Sequence, residues 1–111
     1  MSTNAFTPLG NTVTFTANVA GSVPTPVQAL STTLGGNQYR IINAGTVTVF
    51  LGLGTTSANA TSNAVVVTST QNSYPLLAGT DEILTFVPNA YFTGITSSGT
   101  ATVYITPGDG L

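Results

Sequence analysis

Only four side chains in this 111-residue sequence carry formal charge: Arg40, Asp81, Glu82 and Asp109. His, Cys, Lys and Trp are all missing. Ser–His, Cys–His and Ser–Lys nucleophile pairs therefore cannot form within one chain. A Walker-type phosphate loop lacks its Lys, and a Schiff base has no amine apart from the N-terminus. Zinc sites of the His/Cys kind are excluded as well. Acid–base chemistry would fall to the carboxylates. Asp81 and Glu82 are neighbours in or just before an expected strand, so their side chains point to opposite faces and do not converge. Glycoside hydrolysis would need Asp109 brought against one of them. The expectation is a protein that is not an enzyme.

Binding chemistry is equally sparse. Asp109 with the carbonyls of Pro107-Gly108-Asp109-Gly110 could hold a hard cation, but the same residues make an ordinary turn, which is the reading preferred. Gly52-Leu53-Gly54 lacks the third Gly and the following helix of a dinucleotide fingerprint. Arg40 alone cannot neutralise a run of phosphates, so no nucleic-acid partner is expected. Its plain role is an ion pair with Asp81 or Glu82 across the sheets, and its sharper one is partner recognition. No cofactor and no metal are expected. Among Tyr74, Tyr91, Phe92 and Tyr104, some rings must be core, because four Tyr and five Phe are the whole aromatic supply. On a strand Tyr91 and Phe92 face opposite ways, and the outward ring is a candidate anchor for a partner.

Composition sets the elements that must position these groups. A 41% hydrophobic content argues against disorder. Charged residues make up 4%, against about 25% in an ordinary soluble domain. Thr is the commonest residue and alternates with Val, Ile, Phe and Tyr, which is sheet usage. There is no Cys for disulfides. Met1-Ser2-Thr3-Asn4 is polar and unlike a signal peptide, and no apolar run is long enough to span a bilayer, so no membrane partner is expected. The sequon Asn59-Ala60-Thr61 is read as chance.

Along the chain, residues 1–10 read as an arm, and residues 11–111 as one β-sandwich domain. In residues 11–19, Val13, Phe15, Ala17 and Val19 share one face and Thr12, Thr14, Thr16 and Asn18 the other, a half-buried strand. Pro24 and Pro26 break the pattern before a short strand at residues 27–30 and a turn-rich loop at 31–36. Residues 38–53 read as the central β-hairpin, with Asn43-Ala44-Gly45 as its turn and Gly45 as its left-handed residue. Residues 54–63 read as a polar loop and Val65, Val66 and Val67 as a β-branched run. Tyr74-Pro75-Leu76-Leu77 is extended, residues 82–87 form a strand stopped by Pro88-Asn89, and residues 91–95 and 100–106 form a last hairpin. No capped apolar helical period occurs. About seven or eight short strands at roughly 8–12-residue spacing are the pattern of an antiparallel sandwich or barrel; an all-β, jelly-roll-like β-sandwich with little or no helix is the expectation, and an immunoglobulin-like sandwich the close alternative. Such a sheet normally guards its edges with charge, which this chain lacks, so its edges or apolar patches are expected to be covered by a symmetry mate or a host surface.

Three segments carry a family resemblance: YRIINAGTVTVFLGLG, YPLLAGTDEILTF and NAYFTGITSSGTATVYITPGDGL. A strand ending in N-x-G, a P-L-L-A-G-type turn into a hydrophobic strand, and a terminal I-T-x-S-G-T-A-T-V-Y-x-T-P-G-x-G resemble small tailed-phage virion proteins. As a whole the chain is similar to capsid decoration (cement or staple) proteins of short-tailed phages, over residues 39–111. That resemblance implies a jelly-roll-like domain made in the bacterial host cytoplasm and bound outside an icosahedral shell. There it would bridge major capsid protein subunits as a dimer or trimer, without cofactor or catalytic residues. The expected capsid or self contacts are Phe6 and Pro8 of the arm, Val23 and Pro24 of the proline loop, Arg40, and Tyr91. The alternative is a tail-fibre, spike or adhesin module that binds glycan through Tyr91 and Asn89.

Overall fold

Threonine alternating with aliphatic residues produces strands, and the computed structural model shows where they pair. It describes residues 6–19, 22–31, 37–65 and 73–110. Residues 1–5 of the expected arm, 32–36 of the expected loop, and Val66 and Val67 of the β-branched run lie outside that description. The described chain is all-β with one short helix. Its strands are β1 (Phe6–Pro8), β2 (Val13–Val19), β3 (Val27–Gln28), β4 (Gln38–Asn43), β5 (Val49–Gly54), β6 (Tyr74–Leu76), β7 (Asp81–Thr85), β8 (Tyr91–Thr96) and β9 (Ala101–Gly110), and its helix is α1 (Ser57–Asn63).

The sheet runs in the order β6-β5-β8-β2-β9-β4-β7, with β1 paired to β9 and β3 to β8. It folds over itself into a nearly closed, sandwich-like body, and β2 makes the corner. Val13 to Ala17 pair antiparallel with β9, whereas Asn18 and Val19 pair with Ile95 and Thr96 of β8. That second pairing is parallel, so the sheet is not purely antiparallel.

Neither expected hairpin forms. β4 lies between β9 and β7, while β5 lies between β8 and β6, so residues 44–48 carry the chain from one layer to the other. Residues 97–100 do the same between β8 and β9. The two arches stack side by side, and Gly45 shows why. Its φ is not positive, so it is not the left-handed residue of a hairpin turn. A Cβ there would stand 2.4 Å from the Ala101 Cβ, so Gly45 serves close approach of the arches.

The leading segment is also tied down. Phe6, Thr7 and Pro8 pair with Gly110, Asp109 and Gly108. β1 and β2 thus continue one another along β9, and the four residues 9–12 stand opposite only Thr106 and Pro107. Pro107, with no N–H to give, sits opposite this bulge, where a full ladder is not required. The strand therefore runs through Pro107-Gly108-Asp109-Gly110 where a terminal turn was expected.

Between the layers, Phe15, Ala17, Tyr39, Ile41, Val103 and Ile105 meet Val49, Leu51, Leu76 and Phe92. Tyr39 and Phe92 pack edge-to-face with centroids 4.8 Å apart, a favoured aromatic geometry. Two polar groups sit on the inward side of β4. The Tyr39 hydroxyl donates to Val87 O and accepts from the Ala90 N–H at 3.1 Å. Asn43 is fully buried, and its Nδ2 donates to Val47 O at 2.9 Å and Leu76 O at 3.0 Å. Its Oδ1 accepts from the Gly45 N–H at 2.9 Å, an Asx turn that starts the arch.

Removing the Asn43 amide strands the buried Leu76 carbonyl, together with the half-buried Val47 carbonyl and Gly45 N–H. Asn43→Ala is expected to cost about 3 kcal/mol in urea unfolding, since each unsatisfied buried group costs about 1–3 kcal/mol. Gly45→Ala is expected to cost about 1–3 kcal/mol by overpacking, and Ala101→Gly added to it should recover part of the loss. Burial pushes the Tyr39 phenol above its ordinary 10.0. The unfolded phenol ionises first, so this contribution to stability is complete below about pH 10 and is lost as pH rises through the raised folded value. Unfolding titrations should show stability falling above about pH 10, with a smaller fall in Tyr39→Phe.

Candidate interaction surface

The two layers differ in what covers them. On the outside of the layer containing β5 and β8 lie Phe50, Gly52 and Gly54, with Ile95, Thr93 and Tyr91 as their cross-strand partners. Helix α1 rests directly on the two glycines. A Cβ on Gly52 would stand 2.3 Å from Ala60 O, and one on Gly54 2.5 Å from Ala60 N. The helix starts at Thr56, whose hydroxyl accepts from the Asn59 N–H at 3.2 Å. Asn63 Nδ2 then donates to Leu53 O at 3.0 Å, fixing its far end to the strand. Residues 54–63 thus hold a helix where a polar loop was expected, and Gly52-Leu53-Gly54 does precede a helix. The proline loop completes the cover, because the Thr93 hydroxyl donates to Pro24 O at 2.8 Å.

Among the described residues, the outer face of the other layer carries no such cover. Register places Thr14, Tyr104, Ile42 and Asp81 in one row across β2, β9, β4 and β7. Thr106, Arg40 and Ile83 make the next row, and the Thr12 and Thr106 hydroxyls bond to each other at 2.7 Å. Thr14 donates to Val103 O at 2.9 Å. Thr12, Thr14 and Thr106 are thus tied to their own sheet, and Tyr104 (41% exposed) is the large ring offered outward. Arg40 Nη2 lies 2.7 Å from Asp81 Oδ2. This pair joins adjacent strands of one layer and does not cross between the sheets. Glu82 accepts from the Tyr74 hydroxyl, and that bond, with some burial, raises the Tyr74 pKa. The two neighbouring carboxylates thus serve different partners.

The expected contact residues divide into two groups. Phe6 and Pro8 lie at one end of the bare layer, with Pro8 and Gln38 flanking Gly108 on its two sides. The Phe6 ring lies against Gly108, where a Cβ would stand 2.5 Å from its Cζ. Arg40 stands two residues further along β4. Val23, Pro24 and Tyr91 belong to the covered layer, and all three are half-buried. Tyr91 is the outward ring and Phe92 the core ring, as alternation requires. Tyr104 and Ile83 were not singled out as contacts. Alternation with Val103 and Ile105 marks Tyr104 as outward, whereas DEILT does not say which of Ile83 and Leu84 faces the core. Among the described residues no cluster of three or more His, Cys, Asp or Glu could hold a metal ion.

Comparison with protein-family models, curated sequences and solved structures returned no match.

An exposed ion pair contributes about 0–1 kcal/mol. Arg40→Ala is therefore expected to change unfolding free energy by under about 1 kcal/mol, which denaturant melts will check. Any binding defect of that variant then reports recognition and not unfolding.

Proposed function

We propose that this chain is a structural virion protein that binds the outer surface of an icosahedral phage capsid and stabilises it by bridging major capsid protein subunits. The observation that carries the reading is the face of the β2-β9-β4-β7 layer, uncovered among the described residues, with exposed Tyr104 and Arg40 beside Thr12, Thr14 and Thr106, which bond to their own sheet. Tyr and Arg are the side chains enriched where protein interfaces concentrate their energy. The sequence resemblance to decoration proteins of short-tailed phages points the same way, as does a 4% charged content that leaves surfaces easy to desolvate.

The mechanism is mass action. A module that binds the assembled lattice but not its separated subunits stabilises the lattice by its own binding free energy. A seam-spanning contact needs about 1,200–2,000 Å² of buried surface in total, and the bare face with the adjoining Phe6 and Pro8 end is the surface offered. Copies bound to the shell would also contact one another. The glycan reading has weaker support, because Asn89 Oδ1 and carbonyl oxygen already accept from the Ser31 N–H and Gln28 Nε2, both at 3.0 Å.

The test is co-sedimentation with genome-filled heads of the short-tailed phage that carries the gene, stripped of this protein. Saturable binding in fixed ratio to the capsid subunit, with a raised head melting temperature, is expected. Tyr104→Ala should weaken binding about tenfold or more, and Tyr91→Ala should leave it unchanged. Protein that stays in the supernatant at every concentration would overturn the proposal.

A further inference from the structure

The two ends of the sheet path are unlike. β6 is three residues long with Pro75 at its centre, a short edge poor in donors. β7 has five residues and neither Pro nor Lys. Its inward bonds fix which groups remain free. The Phe86 N–H donates to Asn37 O at 2.8 Å and the Asn43 N–H to Thr80 O at 2.9 Å. Antiparallel ladders alternate, so Glu82 and Leu84 bond toward β4, and the backbone groups of Asp81, Ile83 and Thr85 face the open edge. Exposed apolar side chains gather at the same strand. Leu77 (62% exposed), Ile83 (53%) and Val87 (38%) lie on it or beside its ends. Its two carboxylates are held back by groups of their own chain, Asp81 by Arg40 and Glu82 by Tyr74.

We infer that β7 pairs antiparallel with β7 of a second copy about a two-fold axis at Ile83. In that register Asp81 meets Thr85, Glu82 meets Leu84 and Ile83 meets itself, so no carboxylate opposes another. Every outward backbone group from Asp81 to Thr85 finds a partner. An axis at Asp81 or Glu82 would set two carboxylates face to face, while one at Leu84 or Thr85 would set Asp81 against Val87 or Glu82 against Pro88, beyond the end of the strand. A foreign strand would have to bring an apolar residue opposite Ile83 and no acid opposite Asp81 or Glu82. The chain's own β7 meets both conditions. The joined sheets would also place the two bare faces side by side, doubling the points at which one dimer could grip a repeating surface. The inference deepens the copy-to-copy contact in the reading above, but it needs no shell. A missing dimer would leave head binding intact, and failed head binding would leave the dimer intact.

Sedimentation equilibrium of the full chain, from about 1 to several hundred micromolar, reads the association directly. A dimer is expected, with Ile83→Pro monomeric at unchanged β-sheet circular dichroism, because an edge position can lose its outward N–H. The protein has no cysteine, so Ile83→Cys reports the axis itself. Paired Cα atoms about 5.5 Å apart lie inside the span a disulfide bridges, so mild oxidation should give a covalent dimer, and oxidised Tyr104→Cys should not. A protein monomeric throughout, a dimer untouched by Ile83→Pro, or an Ile83→Cys variant that resists cross-linking would each overturn the inference. If Ile83→Pro does not fold, the cysteine pair decides.

Discussion

Two polar side chains on the inward face of β4 hold this fold in its shape. Tyr39 and Asn43 are four residues apart, about 13 Å along a strand, and each is fully buried. Asn43 holds the corner by which the chain arrives at β7, through Leu76 O and the arch at Val47. The Asn43 carbonyl also accepts from the Gly79 N–H at 3.0 Å, in the same corner. Tyr39 holds the connection by which the chain leaves β7, between Val87 and Ala90. A buried amide with unmet bonds costs more than a pair of apolar groups in its place, so the network specifies one arrangement of loops. β7 itself buries little, and it stays registered on β4 because its two ends are anchored.

The same economy of side chains governs the covered layer. A helix usually packs on a sheet through Leu or Ile, which leaves a 3.6-residue apolar period in the sequence. Here α1 reaches the backbone of β5 through Ala60 and Ala64 over Gly52 and Gly54. Contact through small residues leaves no such period, so residues 54–63 read as loop from the sequence. The strands were legible because Thr alternates with aliphatic residues in β2 and β9. Their partners were not. Asn43-Ala44-Gly45 suits a hairpin turn and an arch equally, and what decides between them is Ala101, far along the chain and pressed against Gly45.

For the candidate surface, scarcity was informative. With one cation in the chain, an Arg40 pair with Asp81 or Glu82 could be expected, and it forms with Asp81. That Tyr104 faces outward was legible from its alternation with Val103 and Ile105. What sequence alone did not carry is which sheet face receives cover. That depends on helix α1 and on the Pro24 carbonyl bonded to Thr93, and neither has a periodic signal.

Charge placement explains how so weakly charged a protein manages its edges. Arg40, Asp81 and Glu82, three of its four charged side chains, stand on β7 or the strand beside it. Charges on an edge normally repel further strands. These carboxylates are instead drawn toward Arg40 and Tyr74, and Ile83 stands between them and Thr85, with its backbone groups turned outward. Such an edge resists registers that bring acid to acid, and among those that do not, one pairs the strand from end to end. Selective permission of this kind is what separates a defined assembly from open-ended sheet growth. It follows here from the positions of two carboxylates, one arginine and one tyrosine hydroxyl.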